Sequence, residues 1–291
     1  MALVSVVLAG GCLLAACGGC SEDDGPVAFD PAETGSGAAP WEEQAPEEGP
    51  KDLTAGFQGG TPGRACAPNA YRAVGEVLVV NNKHGEHRLV KGDKYEQCVG
   101  TWKGGFPVWW DWHAETDQPY VKGFPQVFFG INPWSGLTST DRLPVRVGDI
   151  RWLTVKHDVV LSADGIYNLA YDLWLTEDDT PTGNEITHEI MIWLDGNTPP
   201  GLPRQREVRF GGVTYGFYRG VCEDGAPFLL FVADEPRPKG WVNLAGFLRF
   251  LAANDLVPLD VYLASIELGT EMWYGSGSAA VRKFKVSLLA D

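Results

Sequence analysis

The segment His188–Asp195 has a strict period-two pattern, which is the pattern of a β-strand with two different faces. Aliphatic residues occupy alternate positions, and Glu189, Met191 and Trp193 occupy the positions between them. One face can therefore pack into a core, whereas the other presents a carboxylate beside a thioether and an indole. The pattern predicts a strand that serves a core on one side and carries polar chemistry on the other.

A second segment, Ile266–Gly275, repeats this arrangement. Glu267, Glu271 and Trp273 share one face, and aliphatic residues face the opposite way. Two neighbouring strands of this kind suggest glycoside hydrolysis, because that reaction needs one carboxylate to attack or stabilise and a second carboxyl to deliver a proton. Glu267 has the same parity as Glu271, and we interpret it as a residue of the surface or of a cleft edge.

From about Cys66 onward the chain alternates short apolar runs with clusters of turn residues. The runs occupy residues 77–80, 126–129, 151–155, 167–174, 207–210, 215–218, 228–232 and 284–288. Many short strands with regular turn signals predict an all-β fold, a sandwich or jelly roll. Trp241–Asn254 is the exception, because its leucine and phenylalanine residues recur at helical spacing. This segment predicts one amphipathic helix packed against the back of a sheet.

The charge of the chain is negative and unevenly distributed. The 291 residues carry a formal net charge of −15, and residues 17–60 contain ten acidic residues and one lysine. Such a charge argues against nucleic acid or an anionic membrane surface as a partner. Because residues 17–60 also contain few large apolar side chains, we expect them to form a disordered, extended tether.

The first sixteen residues are small and apolar. They predict a signal peptide of the lipoprotein type, since the apolar stretch is too short to cross a bilayer as a stable helix. Leu14–Cys17 resembles the bacterial lipobox, in which the cysteine is acylated after cleavage. We therefore expect removal of residues 1–16, a lipid anchor at Cys17 and a folded domain over residues 61–291. The alternative is an ordinary secretory signal that is cleaved nearby and releases the protein outside the cell.

Six separated motifs occur in order along this domain. They are Val80-Asn81-Asn82, Trp110-Asp111-Trp112, Val121-Lys122-Gly123-Phe124-Pro125, Asn168–Leu173, Glu189–Leu194 and Gly269-Thr270-Glu271. Together they resemble a family-twelve glycoside hydrolase, a β-jelly-roll endoglucanase, over about residues 66–289. The resemblance implies two curved antiparallel sheets, with the substrate lying across the concave one. It also implies that Glu189 is the nucleophile, Glu271 the general acid/base and Asp172 the carboxylate that orients the nucleophile.

The resemblance and the strand parities also suggest which residues contact a sugar. The candidates are Asn82, His84, Trp110, Trp112, Met191, Trp193 and Trp273. Trp110 and Trp112 share a parity that Trp109 does not, which favours them as the stacking pair. His84 stands where many family members have a tryptophan. We therefore expect weaker stacking there, on an imidazole that is partly protonated below neutral pH.

Other aromatic and histidine residues receive structural interpretations. We expect Trp152 and Trp241 to pack inside the domain. His84 and His87 form a His-x-x-His pair in turn-like sequence without a second cluster of ligands. We interpret it as a surface loop, so the sequence predicts neither a metal nor a cofactor.

The cysteines fit an exported protein. The resemblance implies a disulfide between Cys66 and Cys98, which would close a 32-residue loop. Cys222 is left over, and it is either buried or free.

The sequence thus predicts a monomeric, retaining endo-β-1,4-glucanase. Its substrate would be cellulose-type glucan, mixed-linkage glucan or xyloglucan, and it would act at the bacterial cell envelope or outside the cell. A non-catalytic carbohydrate-binding lipoprotein is one alternative, although binding alone needs no acid pair. A xylan-active jelly-roll hydrolase is the other, and its motifs match less well.

Overall fold

The computed structural model describes residues 63–103, 105–116, 120–180, 186–198, 201–222 and 225–291. The predicted signal peptide, the acidic tether and Cys17 lie outside these ranges and stay predictions. Within the described ranges the chain forms fifteen strands and one α-helix, which confirms the predicted all-β class. None of these residues belongs to a helix that is long and apolar enough to cross a membrane.

The elements follow one another through turns and short loops. In chain order they are β1 (Tyr71–Val74), β2 (Val77–Val80), β3 (Lys94–Trp102), β4 (Gly105–Glu115), β5 (Gln126–Gly130), β6 (Val145–Arg146), β7 (Ile150–Ala163), β8 (Ile166–Thr176), β9 (Ile186–Gly196), β10 (Arg204–Phe210), β11 (Val213–Val221), β12 (Pro227–Ala233), β13 (Lys239–Asn243), α1 (Leu244–Ala253), β14 (Tyr262–Gly269) and β15 (Met272–Ala290).

The strands form a larger and a smaller sheet. The larger sheet has the order β1-β2-β5-β14-β8-β9-β12-β11-β10, and β6 pairs with one end of β14. The smaller sheet has the order β3-β4-β15-β7-β13. The first residues of β15 pair with β8, so this strand links the two sheets. The layout confirms the predicted jelly-roll sandwich.

One strand pair departs from the predicted antiparallel arrangement. β9 and β12 run parallel, with Phe228 of β12 opposite Glu189 of β9. Parallel neighbours need a crossover connection. The hairpin of β10 and β11 supplies that connection here, and it also forms the outer edge of the larger sheet.

The main hydrophobic core lies between the two sheets. Ile190, Ile192 and Leu194 of β9 lie in it together with Leu153 and Val155 of β7. All five side chains are at most 1% exposed. The prediction of an aliphatic core face on β9 is therefore confirmed. Successive side chains of a strand alternate, so the glutamate face of β9 points away from the smaller sheet. We call that side of the larger sheet its outer face.

The helix begins three residues later than the sequence predicts. Trp241 pairs with Lys156 of β7, so residues 241–243 belong to strand β13. Asn243 then caps α1, and its side chain accepts a hydrogen bond of 3.1 Å from the backbone N–H of Gly246. Phe247 packs against the core face of the larger sheet, with its ring centroid 4.1 Å from that of Phe210. The predicted apolar stripe of the helix is buried as expected.

The expectation that Trp152 and Trp241 pack internally is wrong. Their side chains are 44% and 46% exposed. Both lie on the face of the smaller sheet that is turned away from the core. Burial of the opposite face by Leu153 and Val155 fixes this orientation.

The predicted disulfide between Cys66 and Cys98 is present. Next to it, Ala65 and Val99 exchange backbone hydrogen bonds of 2.8 and 2.9 Å. The disulfide and these two hydrogen bonds together attach the start of the described chain to β3. Cys222 is buried at 7% exposure.

A buried polar pair crosses the interior between the sheets. Nε2 of His157 on β7 lies 2.9 Å from the backbone oxygen of Arg237, so this nitrogen carries the proton. Nδ1 then accepts a hydrogen bond of 2.9 Å from the hydroxyl of Tyr171 on β8. Burial lowers the pKa of His157, which is consistent with a neutral ring.

We expect Tyr171→Phe to destabilise the protein by about 1–3 kcal/mol, because it leaves the buried Nδ1 atom of His157 without a donor. Tyr71→Phe is the matched control, since Tyr71 is 48% exposed. We expect that control to cost less than about 0.5 kcal/mol. Denaturant unfolding measures both, and equal losses would show that the Tyr171 hydroxyl contributes nothing specific.

Candidate active site

Four carboxyl side chains gather on the outer face of the larger sheet. Asp172 lies on β8, Glu189 on β9 and Glu267 on β14, and Glu271 follows the end of β14. Glu267 is the direct cross-strand partner of Asp172. Asp172 is opposite Met191, which places Glu189 on the adjacent diagonal. Asp172 is therefore central to the group, and we call these four residues the carboxyl cluster.

The cluster is shielded from solvent. Asp172 and Glu189 are each 5% exposed and Glu267 is 2% exposed, whereas Glu271 is partly exposed. Sγ of Cys222 lies 3.0 Å from Oε2 of Glu189 and covers one side of it. The interpretation of Glu267 as a surface or cleft-edge residue is wrong, because its side chain is fully enclosed.

Burial and mutual repulsion keep protons on this cluster. Burial raises the pKa of Asp172 well above its usual value, and the nearby charges of Glu189, Glu267 and Glu271 raise it further. Burial also raises the pKa of Glu267 to about 8, although hydrogen bonds from Ser265 and Asn132 oppose the shift. Asp172 and Glu267 therefore hold their protons more tightly than free carboxyls do.

Glu271 is held by a reciprocal arrangement with Asn168 of β8. Nδ2 of Asn168 donates to Oε2 of Glu271, and the backbone N–H of Glu271 donates to Oδ1 of Asn168 at 3.0 Å. Burial raises the pKa of Glu271 to about 7, against the opposing effect of the Asn168 hydrogen bond. A carboxyl with this pKa can both give and take a proton near neutral pH.

The predicted continuous strand over residues 266–275 is interrupted at Thr270 and Glu271. Gly269 is the last residue of β14, and only glycine fits there, because a Cβ atom would lie 2.7 Å from the oxygen of Pro125 and 2.8 Å from the ring of Phe124. Thr270 is anchored from below, since its Oγ1 accepts a hydrogen bond of 3.1 Å from Nε1 of Trp110. Glu271 lies on the same side as Asp172, and its charge raises the pKa of that residue.

The expectation that Trp110 and Trp112 stack on a sugar is wrong. They are 0% and 3% exposed and belong to the main core between the sheets. They do share a face, as their parity predicts, but that face of β4 is the covered one. Trp110 instead supports the segment that carries Glu271.

The other aromatic candidates lie on the outer face. Met191 and Trp193 pack with Phe228 and Leu230 of β12 in a small cluster of their own. The ring of Trp273 meets that of Trp193 edge-on, with centroids 6.5 Å apart. The structure therefore brings Trp193 and Trp273 together beside the carboxyl cluster, as the alternation of both strands predicts.

A cavity of about 490 Å³ opens at the β2–β5 end of the outer face. Its lining residues include Asn82, His84, Gln126, Phe128, Asn132 and Trp134. The structure thus places the predicted residues Asn82 and His84 together on one cavity wall. The described residues contain no group of three or more His, Cys, Asp or Glu side chains that could hold a metal ion.

His84 is neutral in this cavity. Burial, with the nearby charges of Arg88 and His87, lowers the pKa of His84 to about 4. The expectation of a partly protonated imidazole below neutral pH is therefore wrong, because a cation is poorly hydrated there and repelled by its neighbours.

Trp134 is a cavity residue that the sequence analysis missed. It lies in the loop after β5, and its ring meets that of Trp174 edge-on with centroids 5.3 Å apart. Trp174 is in turn the cross-strand partner of Glu189. The signal in the sequence is a tryptophan directly after Asn132 and Pro133, where a turn places a large side chain without a core to enter.

A layered β fold with an acid cluster on one sheet face is compatible with a glycoside hydrolase, and sequence comparison identifies the family. Residues 88–289 match the profile of glycosyl hydrolase family 12. The chain belongs to this family and is a glycoside hydrolase.

Individual relatives are distant but cover most of the domain. The chain is 26% identical over 229 residues to "Endoglucanase S" of Pectobacterium parmentieri, a match covering 76% of this chain and 85% of the relative. It is 27% identical over 225 residues to "Xyloglucan-specific endo-beta-1,4-glucanase A" of Emericella nidulans, covering 74% and 86%. A solved family 12 xyloglucanase from Bacillus licheniformis in complex with ligand superposes with a TM-score of 0.71 at 23% identity, covering 78% of this chain and 99% of that chain.

The raised pKa values predict how stability depends on pH. Glu267 titrates near 4.5 when unfolded and about 8 when folded, so the folded state holds its proton more tightly. That contribution is complete below pH 4.5 and is lost as the pH rises through 8. The lowered pKa values of His84, His157 and His188 act oppositely, but only below pH 6.5.

We therefore expect the free energy of unfolding to fall between pH 6.5 and 8. Glu267 alone contributes up to about 2 kcal/mol to this fall. Glu267→Gln, which keeps the shape but cannot ionise, should flatten the slope in denaturant melts at several pH values. An unchanged slope in this variant would mean that Glu267 is already ionised in the folded protein at pH 6.5.

Proposed function

We propose that the protein is a retaining endo-β-1,4-glucanase and that the carboxyl cluster is its catalytic centre. The observation that carries the proposal is the grouping of four carboxyls, three of them buried, on one sheet face beside Trp193 and Trp273. Burying several acids costs free energy, and carboxyls with strongly raised pKa values are typical of catalytic sites. A carbohydrate-binding protein gains nothing from such a group, which argues against the non-catalytic alternative.

In the proposed reaction Glu189 attacks the anomeric carbon as a carboxylate while Glu271 gives its proton to the departing glycosidic oxygen. The bond to the leaving sugar breaks as the ester bond to Glu189 forms. Esterification removes the charge of Glu189, so Glu271 loses its proton more readily. Water then attacks the anomeric carbon, gives a proton to Glu271 and releases Glu189.

Asp172 acts through Glu189 in this proposal. Burial raises the pKa of Asp172 well above its usual value, and among the described residues its Oδ1 has no hydrogen-bond partner. A protonated carboxyl on the diagonal next to Glu189 can donate to the nucleophile and hold its attacking rotamer. Repulsion of Asp172 by Glu189, Glu267 and Glu271 also limits how many of the four carboxyls can be ionised at the same time.

The substrate class rests on the relatives and on the outer face. The relatives named above are an endoglucanase and a xyloglucan-specific endo-β-1,4-glucanase, and this supports a β-1,4-linked glucan over xylan. The cavity beside His84 and Trp134 gives the cleft room at one end. We therefore propose cellulose-type glucan, mixed-linkage glucan and xyloglucan as substrates.

Hydrolysis should release reducing ends from mixed-linkage glucan and xyloglucan more efficiently than from xylan. The first products should be β-anomers, because two displacements restore the original configuration. Proton NMR of early products measures the anomer directly. Initial α-anomers would rule out double displacement, and release from xylan alone would rule out the glucan assignment.

The two proposed roles can be separated by substitution. Glu189→Ala should abolish turnover of every substrate, because no covalent intermediate forms. Glu271→Ala should retain the first step on an aryl glycoside with a good leaving group, which needs little protonation. Single-turnover measurements of phenol release on that substrate distinguish them, and equal residual rates for both variants would contradict the assignment.

We further propose that the protein is exported and anchored through Cys17. The support is the lipobox-like Leu14–Cys17 and the Cys66–Cys98 disulfide, which suits an oxidising compartment. Mature protein should then begin at Cys17 with added acyl mass and fractionate with membranes. Intact-mass measurement of the purified mature chain tests this, and an unmodified Cys17 would exclude the anchor.

A further inference from the structure

Gln126 is a buried amide with one atom left over for a ligand. It begins β5, is 1% exposed and lines the cavity. Its Nε2 donates a hydrogen bond of 2.5 Å to Oε2 of Glu267. Its Oε1 has no hydrogen-bond partner among the described residues. A buried acceptor without a partner is unfavourable, so this oxygen is suited to receive a donor from a bound molecule.

Glu267 fixes the orientation of this amide. Its second oxygen, Oε1, accepts a hydrogen bond of 3.2 Å from the hydroxyl of Ser265. With both oxygens engaged, the carboxyl holds the Nε2 side of Gln126, and the Oε1 side is the one left over. Glu267 is also the cross-strand partner of Asp172. The same side chain therefore contacts the cavity amide and adjoins the centre of the carboxyl cluster.

We propose that Gln126 is a substrate-binding residue whose Oε1 accepts a sugar hydroxyl in the cavity, and that Glu267 is the positioning residue that holds this amide in register with Asp172. The ligand is one glucosyl unit of a β-glucan, so the inference rests on the proposed function. Hydroxyl groups of a sugar are donors that match the unpaired oxygen.

The arrangement ties the position of the sugar to that of the reacting groups. Gln126, Glu267 and Asp172 lie on the adjacent strands β5, β14 and β8. A sugar bound by Gln126 is therefore held by the same sheet that carries Asp172. Such fixed geometry lowers the cost of reaching the reactive arrangement.

The test uses Gln126→Met, Glu267→Met, their double variant and Glu267→Gln, assayed on cello-oligosaccharides and soluble xyloglucan. Gln126→Met should raise KM about three- to tenfold with a smaller change in kcat, the size expected for one hydrogen bond between neutral groups. Glu267→Met should do the same, and the double variant should be no worse than either single one. Glu267→Gln should raise KM less than Glu267→Met does, since its amide oxygen can still accept from Gln126.

Gln205→Met is the matched control. Gln205 is exposed on β10, and its amide reaches only the backbone oxygen of Pro203 at 3.5 Å. The KM of the Gln205→Met variant should equal that of the wild type. Thermal melts of every variant show which ones fold, and Glu267→Gln keeps the test informative if Glu267→Met does not.

The outcomes separate this inference from the proposed function. A wild-type protein that hydrolyses glucan together with an unchanged KM in folded Gln126→Met would overturn the role of Gln126. Additive effects of the two methionine variants would overturn the role of Glu267. If the wild type hydrolyses no glucan, the proposed function fails. Titration calorimetry of cellotetraose against the wild type and Gln126→Met then decides the binding claim, and equal affinities would overturn it.

Discussion

The loss of hydration by carboxyls grouped on one sheet face is the constraint on which the rest of the site depends. Each carboxyl loses hydration on burial, and Asp172 also feels the charges of the other three. The carboxyls therefore tend to stay protonated, because a neutral carboxyl loses less hydration energy on burial and is not repelled by neighbouring charges. Asp172, Glu267 and Glu271 have raised pKa values for this reason. The site can therefore hold an ionised nucleophile only if its neighbours stay protonated, which is the charge state that a retaining mechanism needs.

The two sheets supply the geometry for this charge state. Cross-strand register places Glu267 opposite Asp172, and Trp110 and Asn168 fix the segment that carries Glu271. Support thus comes from the core below and from the neighbouring strand. Trp110 is buried in the core and donates to Thr270, so a core residue helps to fix the position of Glu271 on the outer face.

Period-two alternation predicts which residues share a face, and it succeeded for β9, where Glu189, Met191 and Trp193 lie together. It does not reveal which face a second layer covers. That is why Trp110 and Trp112 were placed on the wrong side, and why Trp152 and Trp241 were expected to be inside. Gln126 and Trp134 escaped the sequence analysis because the cavity is assembled from separate segments, and a single residue in a loop or at a strand start has no period.

The central claim is that Glu189 is the carboxylate that attacks while its neighbours remain protonated. The most direct measurement uses a 2-deoxy-2-fluoro-cellobioside with an activated leaving group, followed by mass spectrometry of the digested protein. The fluorine slows release of the intermediate, so the sugar stays attached to the nucleophile. The account predicts one fluoroglycosyl adduct per chain, on the peptide that contains Glu189. An adduct on Asp172, Glu267 or Glu271, or hydrolysis of this compound without any adduct, would contradict it.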